Sequence, residues 1–258
     1  MSKAMTQQEA LQEYLLRLAD SDMILGQRLC ELCGKAPALE EEMALMNVAL
    51  DLVGQARNWY EYAAELINDG RSADDLAFKR DANLYRNALM VEQPNGDYAV
   101  TMGRQFFFDA WHYFTLAALT QAPDERIASI SAKAVKECQY HLRRSSEWVK
   151  RFGDGTEESH QRMQTAVDNL WRFTGEMIEA DEVENQLFEI GIGPDPEQLA
   201  ADWRGLVNEV LTEATLTPPP EDAWMYRGAK VGHHTEHLGF ILAEMQFLPR
   251  AYPDAKTW

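Results

Sequence analysis

Between Tyr98 and Gln121 the chain carries Phe106, Phe107, Phe108, Trp111 and Phe114 in one helix-length run that is apolar almost all round. A helix with no broad polar face belongs at the centre of a fold, with other helices wrapped around it. The neighbouring sequence supplies them. Thr6 followed by Glu9 is a capping-box start, and Leu11, Leu15, Leu18, Ile24, Leu25 and Leu29 recur at helical spacing until Gly34. Pro37 opens a second long helix with Glu40, Glu41 and Glu42 in its first turn, where acidic side chains suit the helix dipole. This helix runs through Met46, Leu50, Val53, Trp59, Tyr60 and Ile67 to Gly70. After the aromatic helix, Pro123-Asp124-Glu125 begins a fourth, which ends near Gly153-Asp154-Gly155.

Ser72 with Asp75 starts a short helix between the second and third long ones, and Gln93-Pro94-Asn95-Gly96-Asp97 marks a turn. Two helical hairpins joined by a long crossover predict an all-α, ferritin-like four-helix bundle. Further helices are expected from Thr156 through Trp171 and Phe173, from Pro194 and Pro196 to Leu216, and from Thr235 to Leu248. Pro218-Pro219-Pro220 reads as a stiff loop inside the domain. No strand alternation, repeat or linker interrupts the pattern, so residues 1–258 read as a single ferritin-like helical domain with additional C-terminal helices.

A net charge of −18 leaves no excess of cations to displace phosphate counterions. Nucleic acid and anionic membranes are excluded as partners on that ground, and a basic protein surface is the better match. Residues 1–6 have no apolar run after their charge, and no stretch approaches a membrane span, so the chain is expected in the cytoplasm. Cys30, Cys33 and Cys138 are too few for a disulfide framework. Cys30 and Cys33 form a C-x-x-C without a second pair, at the last turn of a helix, and read as buried or half-buried thiols.

The chemistry-bearing residues follow a broken pattern. A di-iron bundle takes one carboxylate from each of two helices and Glu-x-x-His from each of the other two, because residues three apart share a helix face. The corresponding positions here are Asp22, Asp51 with Gly54, Asp109, and Glu137 or Cys138 with His141. Gly54 stands in a histidine place and has no side chain to coordinate with. Cys138 stands in a glutamate place. Iron chemistry with dioxygen needs several protein ligands plus open positions. The set therefore reads as a degenerate di-iron site whose polar groups satisfy one another, with no catalytic or metal-binding residues and no cofactor in this chain.

A second cluster is Gly232-His233-His234-Thr235-Glu236-His237. His233 and His237 lie one turn apart if helical, a spacing that holds zinc, but Glu236 is misplaced for the base of H-E-x-x-H. Glycines at 228, 232 and 239 point to close packing of this segment. His233, His234, Glu236 and His237 are therefore read as a helix N-terminus docked on the bundle or forming a partner interface.

Four strings, Leu50-Asp51-Leu52-Val53-Gly54-Gln55-Ala56-Arg57, Val91-Glu92-Gln93-Pro94-Asn95-Gly96-Asp97, Tyr140-His141-Leu142-Arg143-Arg144-Ser145 and His234-Thr235-Glu236-His237-Leu238-Gly239, resemble the C-subunit family of bacterial ring-1,2-phenylacetyl-CoA epoxidases. The resemblance runs from about Glu13 to Gln246. It implies a ferritin-like subunit of a cytoplasmic hetero-oligomeric monooxygenase in phenylacetate catabolism. In such a system a related catalytic subunit holds the di-iron centre and binds phenylacetyl-CoA, and a reductase passes electrons from NADPH. The resemblance places a catalytic glutamate at Cys138 and a histidine at Gly54, matches His141 to a ligand, and makes Asp51 the replacement of a glutamate. A non-catalytic structural subunit is the function it implies. The alternative is a self-sufficient di-iron oxidase or monooxygenase with an atypical metal site.

Overall fold

A computed structural model describes residues 5–220 and 222–255, and all regular structure among them is helical. Residues 1–4, 221 and 256–258 lie outside the described residues. In chain order the helices are α1 (Gln7–Cys30), α2 (Leu39–Ile67), α3 (Ala73–Phe78), α4 (Leu89–Glu92), α5 (Tyr98–Leu119), α6 (Glu125–Gly153), α7 (Glu157–Trp171), α8 (Gly175–Ile178), α9 (Glu182–Glu189), α10 (Pro196–Glu213), α11 (Glu236–Met245) and α12 (Phe247–Ala251). The four long helices expected from the sequence are α1, α2, α5 and α6. The chain divides into two compact units, one from Met1–Gln93 with Gly228–Trp258, the other from Pro94–Arg227.

In the first unit, α1 and α2 pack along their lengths as a hairpin. The expected caps are in place. The Thr6 hydroxyl accepts the Glu9 N–H at 3.2 Å while the Glu9 carboxylate accepts the Thr6 N–H at 2.7 Å. Ser72 and Asp75 repeat the box at the start of α3. At the α1–α2 connection Glu42 reaches back from α2 and accepts the Gly34 N–H at 2.6 Å and the Ala36 N–H at 3.1 Å. Gly34 sits there at φ +78°, a conformation open to glycine. Leu15, Leu18, Ile24 and Leu25 meet Leu45, Leu52, Ala56 and Trp59 in a core with essentially no solvent access.

Within that apolar contact lies a buried ionic hub. Asp20 is fully buried, and its carboxylate accepts from the Tyr60 hydroxyl, from both terminal nitrogens of Arg80, and from the Arg86 N–H at 2.8 Å. Arg80 also donates to the Leu84 carbonyl at 2.7 Å and lies 4.3 Å from the centre of the Tyr85 ring. Burial, and then the charge of Asp20, keep the Tyr60 hydroxyl protonated and donating. The hub ties α1, α2 and the crossover together.

The C-terminal segment docks on this unit through a second carboxylate. Glu92 is fully buried and receives the Asn87 amide at 2.9 Å, the Thr235 N–H at 2.8 Å, the Thr235 hydroxyl at 2.5 Å and the His234 ring at 2.6 Å. Gly232 (φ +83°) lies so close to the Asn83 carbonyl that a Cβ would stand 2.1 Å from its oxygen, so no other residue fits. Gly239, expected to pack closely as well, faces open space.

The second unit is built on the α5–α6 hairpin, with α7 and α10 laid against it. Phe106, Phe107 and Phe108 are fully buried, as the apolar run demands. Trp203 of α10 donates its indole N–H to the Phe107 carbonyl at 3.0 Å, and Trp171 of α7 packs near both rings at 5.7–5.8 Å. The triple proline is anchored at its start by Gln164, which exchanges two hydrogen bonds with the backbone of Thr217 at 2.8 and 3.0 Å.

Removing one partner of a buried ion pair leaves the other charge uncompensated, typically at about 3–5 kcal/mol. Asp20→Asn is expected to lower stability by that amount in denaturant unfolding. The pair Asp20→Asn with Arg80→Met is expected to cost less than the sum of the two single changes. Additive losses would show that the two residues do not act as one unit.

Candidate functional site

Buried polar groups line up along the facing sides of the α5–α6 hairpin. On α5, Gln105, Asp109, His112 and Thr115 are each at most 1% exposed. Their spacing of three and four residues puts them on a single face. On α6, Ser131, Cys138, His141 and Ser145 are equally buried at the same spacing. The two stripes meet. The Gln105 amide and the Ser145 hydroxyl each donate to Asp109 at 2.7 Å, one to each carboxylate oxygen. Cys138 Sγ lies 3.3 Å from His112 Nδ1.

Burial pushes the Asp109 carboxyl up to about 6, against the opposing pull of His141 and of its hydrogen bonds from Ser145 and Gln105. Burial, with His141 adding to it, pushes His112 down to about 3. His112 is thus neutral at physiological pH. A neutral imidazole beside a thiol accepts or donates a single hydrogen bond and does not hold a thiolate.

These residues do not fit a di-iron centre. The α6 pair three apart is Cys138 and His141. Cys138 is engaged with His112, and Asp109 with two neutral donors. Glu137, beside Cys138, is half-buried rather than on the stripe. In the first unit Asp22 is buried, at 1% exposure. The expected α2 pair is corrected by the structure. Gly54 is solvent-exposed with nothing within 4 Å of where a Cβ would stand, and Asp51 is only half-buried. The buried face of α2 runs through Val48, Leu52, Gln55 and Trp59, so the inward pair three apart is Leu52 and Gln55. Neither offers a carboxylate or an imidazole. Among the described residues no three His, Cys, Asp or Glu side chains converge as a metal ion requires.

The histidine cluster stands at the start of α11. His233 and His234 precede α11 outside regular structure, so His233 and His237 do not share a helical turn. His233 and Glu236 are exposed and His237 is half-buried. The His234 ring, by contrast, is enclosed, with Nδ1 2.6 Å from Glu92 and Nε2 3.0 Å from the Tyr85 carbonyl. Cys30 and Cys33, expected to be buried or half-buried, are exposed, and Cys138 alone is buried. The basic stretch of α6 is used inside its own unit. Arg144 donates to the Tyr98 hydroxyl at 2.8 Å, Lys150 pairs with Glu213, and Arg143 and Arg151 lie over Tyr140 and Trp148.

Sequence reasoning missed Gln105, His112 and Ser145. Their signal was a polar residue every third or fourth position on an otherwise apolar helix. It also missed Asp20, Arg80 and Glu92, whose partners lie 60 and 142 positions away.

Long helical hairpins with a buried polar stripe between them define a ferritin-like bundle protein. Comparison with known proteins agrees. The chain belongs to the phenylacetic acid catabolic protein family, which matches residues 1–258. It is 51% identical over 243 residues to the C-subunit of the 1,2-phenylacetyl-CoA epoxidase of Escherichia coli (strain K12), covering 94% of this chain and 97% of that protein.

Two outcomes are expected. Raised from 3.8 to about 6, Asp109 contributes stability that is fully present below about pH 4 and is lost as the pH rises through 6. The difference corresponds to roughly 3 kcal/mol. Asp109→Asn removes this titration, so its melting temperature relative to the native chain should rise by about 5 °C between pH 4.5 and 7.5. A constant difference would place the carboxyl's titration elsewhere. His234→Ala leaves Glu92 and the Tyr85 carbonyl short of donors, which should cost about 2–4 kcal/mol. Limited proteolysis should then cut within residues 228–255 several-fold faster.

Proposed function

We propose that this chain is a non-catalytic structural subunit of a phenylacetyl-CoA 1,2-epoxidase, pairing with and stabilising a ferritin-like di-iron subunit in the cytoplasm. The chain itself takes no metal. The partner carries the iron, and a reductase drawing on NADPH supplies its electrons. Similarity to the C-subunit of such an epoxidase supports membership of an assembly of this kind. The observation that carries the non-catalytic reading is the α5–α6 stripe. Cys138 and His112 satisfy each other, and Asp109 is held by neutral donors, leaving no set of free ligands to seat iron. Asp22, Asp109, Cys138 and His141 then specify packing in the interior.

A candidate pairing surface lies on the first unit. On α2, Leu39, Met43, Leu50 and Gly54 are exposed. At 3.6 residues per turn they fall within a sector of roughly 60°. Leu39 and Leu50 are about 70% exposed, and such a continuous apolar face marks an interaction site on a soluble protein. Phe240 of α11 with Phe247 and Leu248 of α12 form a second exposed apolar set, beside the exposed His233 and Glu236. Flat, apolar faces of this kind suit an obligate pair of like-folded subunits. The acidic net charge favours a partner with basic surface around them.

The test is reconstitution. The purified chain alone should hold no stoichiometric iron and show no epoxidation. Epoxidation of phenylacetyl-CoA by the co-expressed di-iron subunit should fall at least tenfold when this chain is omitted. Met43→Asp with Leu50→Asp should weaken pairing at least tenfold, read as loss of co-elution, while the far-ultraviolet helical signal of the chain is unchanged. Two bridged irons in the isolated chain would instead support a self-sufficient oxidase and end this reading.

A further inference from the structure

The C-x-x-C at the end of α1 has no part in the function proposed above, and its geometry is specific. Cys30 is the last residue of α1. Beyond it the backbone tightens. Leu32 N–H donates to the Leu29 carbonyl at 3.0 Å, Cys33 N–H to the Cys30 carbonyl at 3.1 Å, and Lys35 N–H to the Leu32 carbonyl at 2.8 Å. In such i to i+3 turns, residues three apart eclipse one another, and their Cα atoms come within about 7 Å. A disulfide spans Cα separations of about 4.4–6.8 Å. Both side chains are exposed, and the two sulfurs sense each other's charge. Glu42 fixes this turn from α2 by accepting the Gly34 and Ala36 N–H groups, and its carboxylate also accepts a hydrogen bond from the Cys33 thiol.

We propose that Cys30 and Cys33 form a reversible dithiol–disulfide pair, an oxidation site within the α1–α2 connection that takes peroxide as its oxidant. In the first step the Cys33 thiolate attacks hydrogen peroxide. The O–O bond breaks, an S–O bond forms, and hydroxide leaves, giving a sulfenic acid on Cys33. In the second step the Cys30 sulfur attacks Cys33 Sγ. The S–S bond forms, the S–O bond breaks, and water leaves with the Cys30 proton. The balance is two thiols and one peroxide to one disulfide and two waters, with both sulfurs oxidised and the peroxide reduced. Cys30 suits the second role. Partial burial, then the charges of Cys33 and Glu31, hold its thiol above the ordinary value, so it reacts late. Cys138, buried against His112, serves as an internal control.

Peroxide titration of the full-length purified chain, followed by intact and peptide mass spectrometry, tests the site. The native chain should lose about 2 Da, with Cys30 and Cys33 in one cross-linked peptide, and should regain them with excess dithiothreitol. Cys138 should react only after unfolding. Cys30→Ser should stop at the first step and accumulate a dimedone adduct on Cys33. Cys33→Ser should form neither disulfide nor adduct at the same peroxide dose. Each substitution lies at an exposed position, and unchanged melting temperatures should confirm that both variants fold. The proposal is overturned if both thiols stay titratable after peroxide, if the disulfide joins two chains, or if the pair resists thiol reagents until a chelator strips a bound metal.

Discussion

An ionised or strongly polar group inside a helical protein needs partners whose hydrogen bonds replace water. Three of the carboxylates that this chain buries meet the requirement in three ways. Asp20 faces a guanidinium, two of whose nitrogens point at it, together with a tyrosine hydroxyl and a backbone N–H. Glu92 collects an amide, a hydroxyl, a backbone N–H and an imidazole. Asp109 has two neutral donors, from Gln105 and Ser145. The order of these partner sets follows the need. Asp20 and Glu92 hold distant segments in place and are fully furnished. Asp109 lies between adjacent helices, where weaker support is tolerated and the carboxyl drifts towards its protonated form.

That difference bears on what the interior of the second unit can do. A carboxylate serving a metal must be ionised at working pH and must have a lone pair free to coordinate. Burial raises the Asp109 carboxyl to about 6, so it is still largely ionised at pH 7, but both of its oxygens already accept hydrogen bonds. His112 is neutral but turned to the Cys138 sulfur. Cys138 engages His112 across the two helices. The contacts of Asp109 with Gln105 and Ser145, and of Cys138 with His112, make a buried polar network between α5 and α6.

The helices were legible because their signals are local. Thr6 with Glu9, Ser72 with Asp75, and the aromatic run of α5 each decide their conformation within one or two turns. Asp109 was legible too, since a carboxylate between Phe108 and Trp111 has few surface-like readings. Position on α2 was harder. Its sequence places apolar residues on both sides, with Leu39, Met43 and Leu50 outward and Leu45, Val48 and Leu52 inward. A helix with two apolar faces leaves its phase undetermined by pattern alone, and a shift of one residue exchanges Asp51 and Gly54 for Leu52 and Gln55. The second apolar face that obscured the phase is the same face proposed to meet a partner. Its ambiguity in the sequence and its exposure in the fold have one cause.

Long-range partners were the least legible. Nothing near Asp20 distinguishes it from Asp22 two residues on. Arg80, which makes Asp20 the hub, sits 60 positions away in a stretch with little regular structure. The cysteines show the same dependence on context. Cys138 and the Cys30–Cys33 pair carry identical chemistry, and a single residue type supports no prediction of which is inert. Burial beside a neutral imidazole makes Cys138 a packing group with one weak hydrogen bond. Exposure at the end of a helix, on a turn whose geometry eclipses two sulfurs, makes the other two a reactive pair. Reactivity in this chain is therefore set by burial and by the neighbouring groups rather than by residue type.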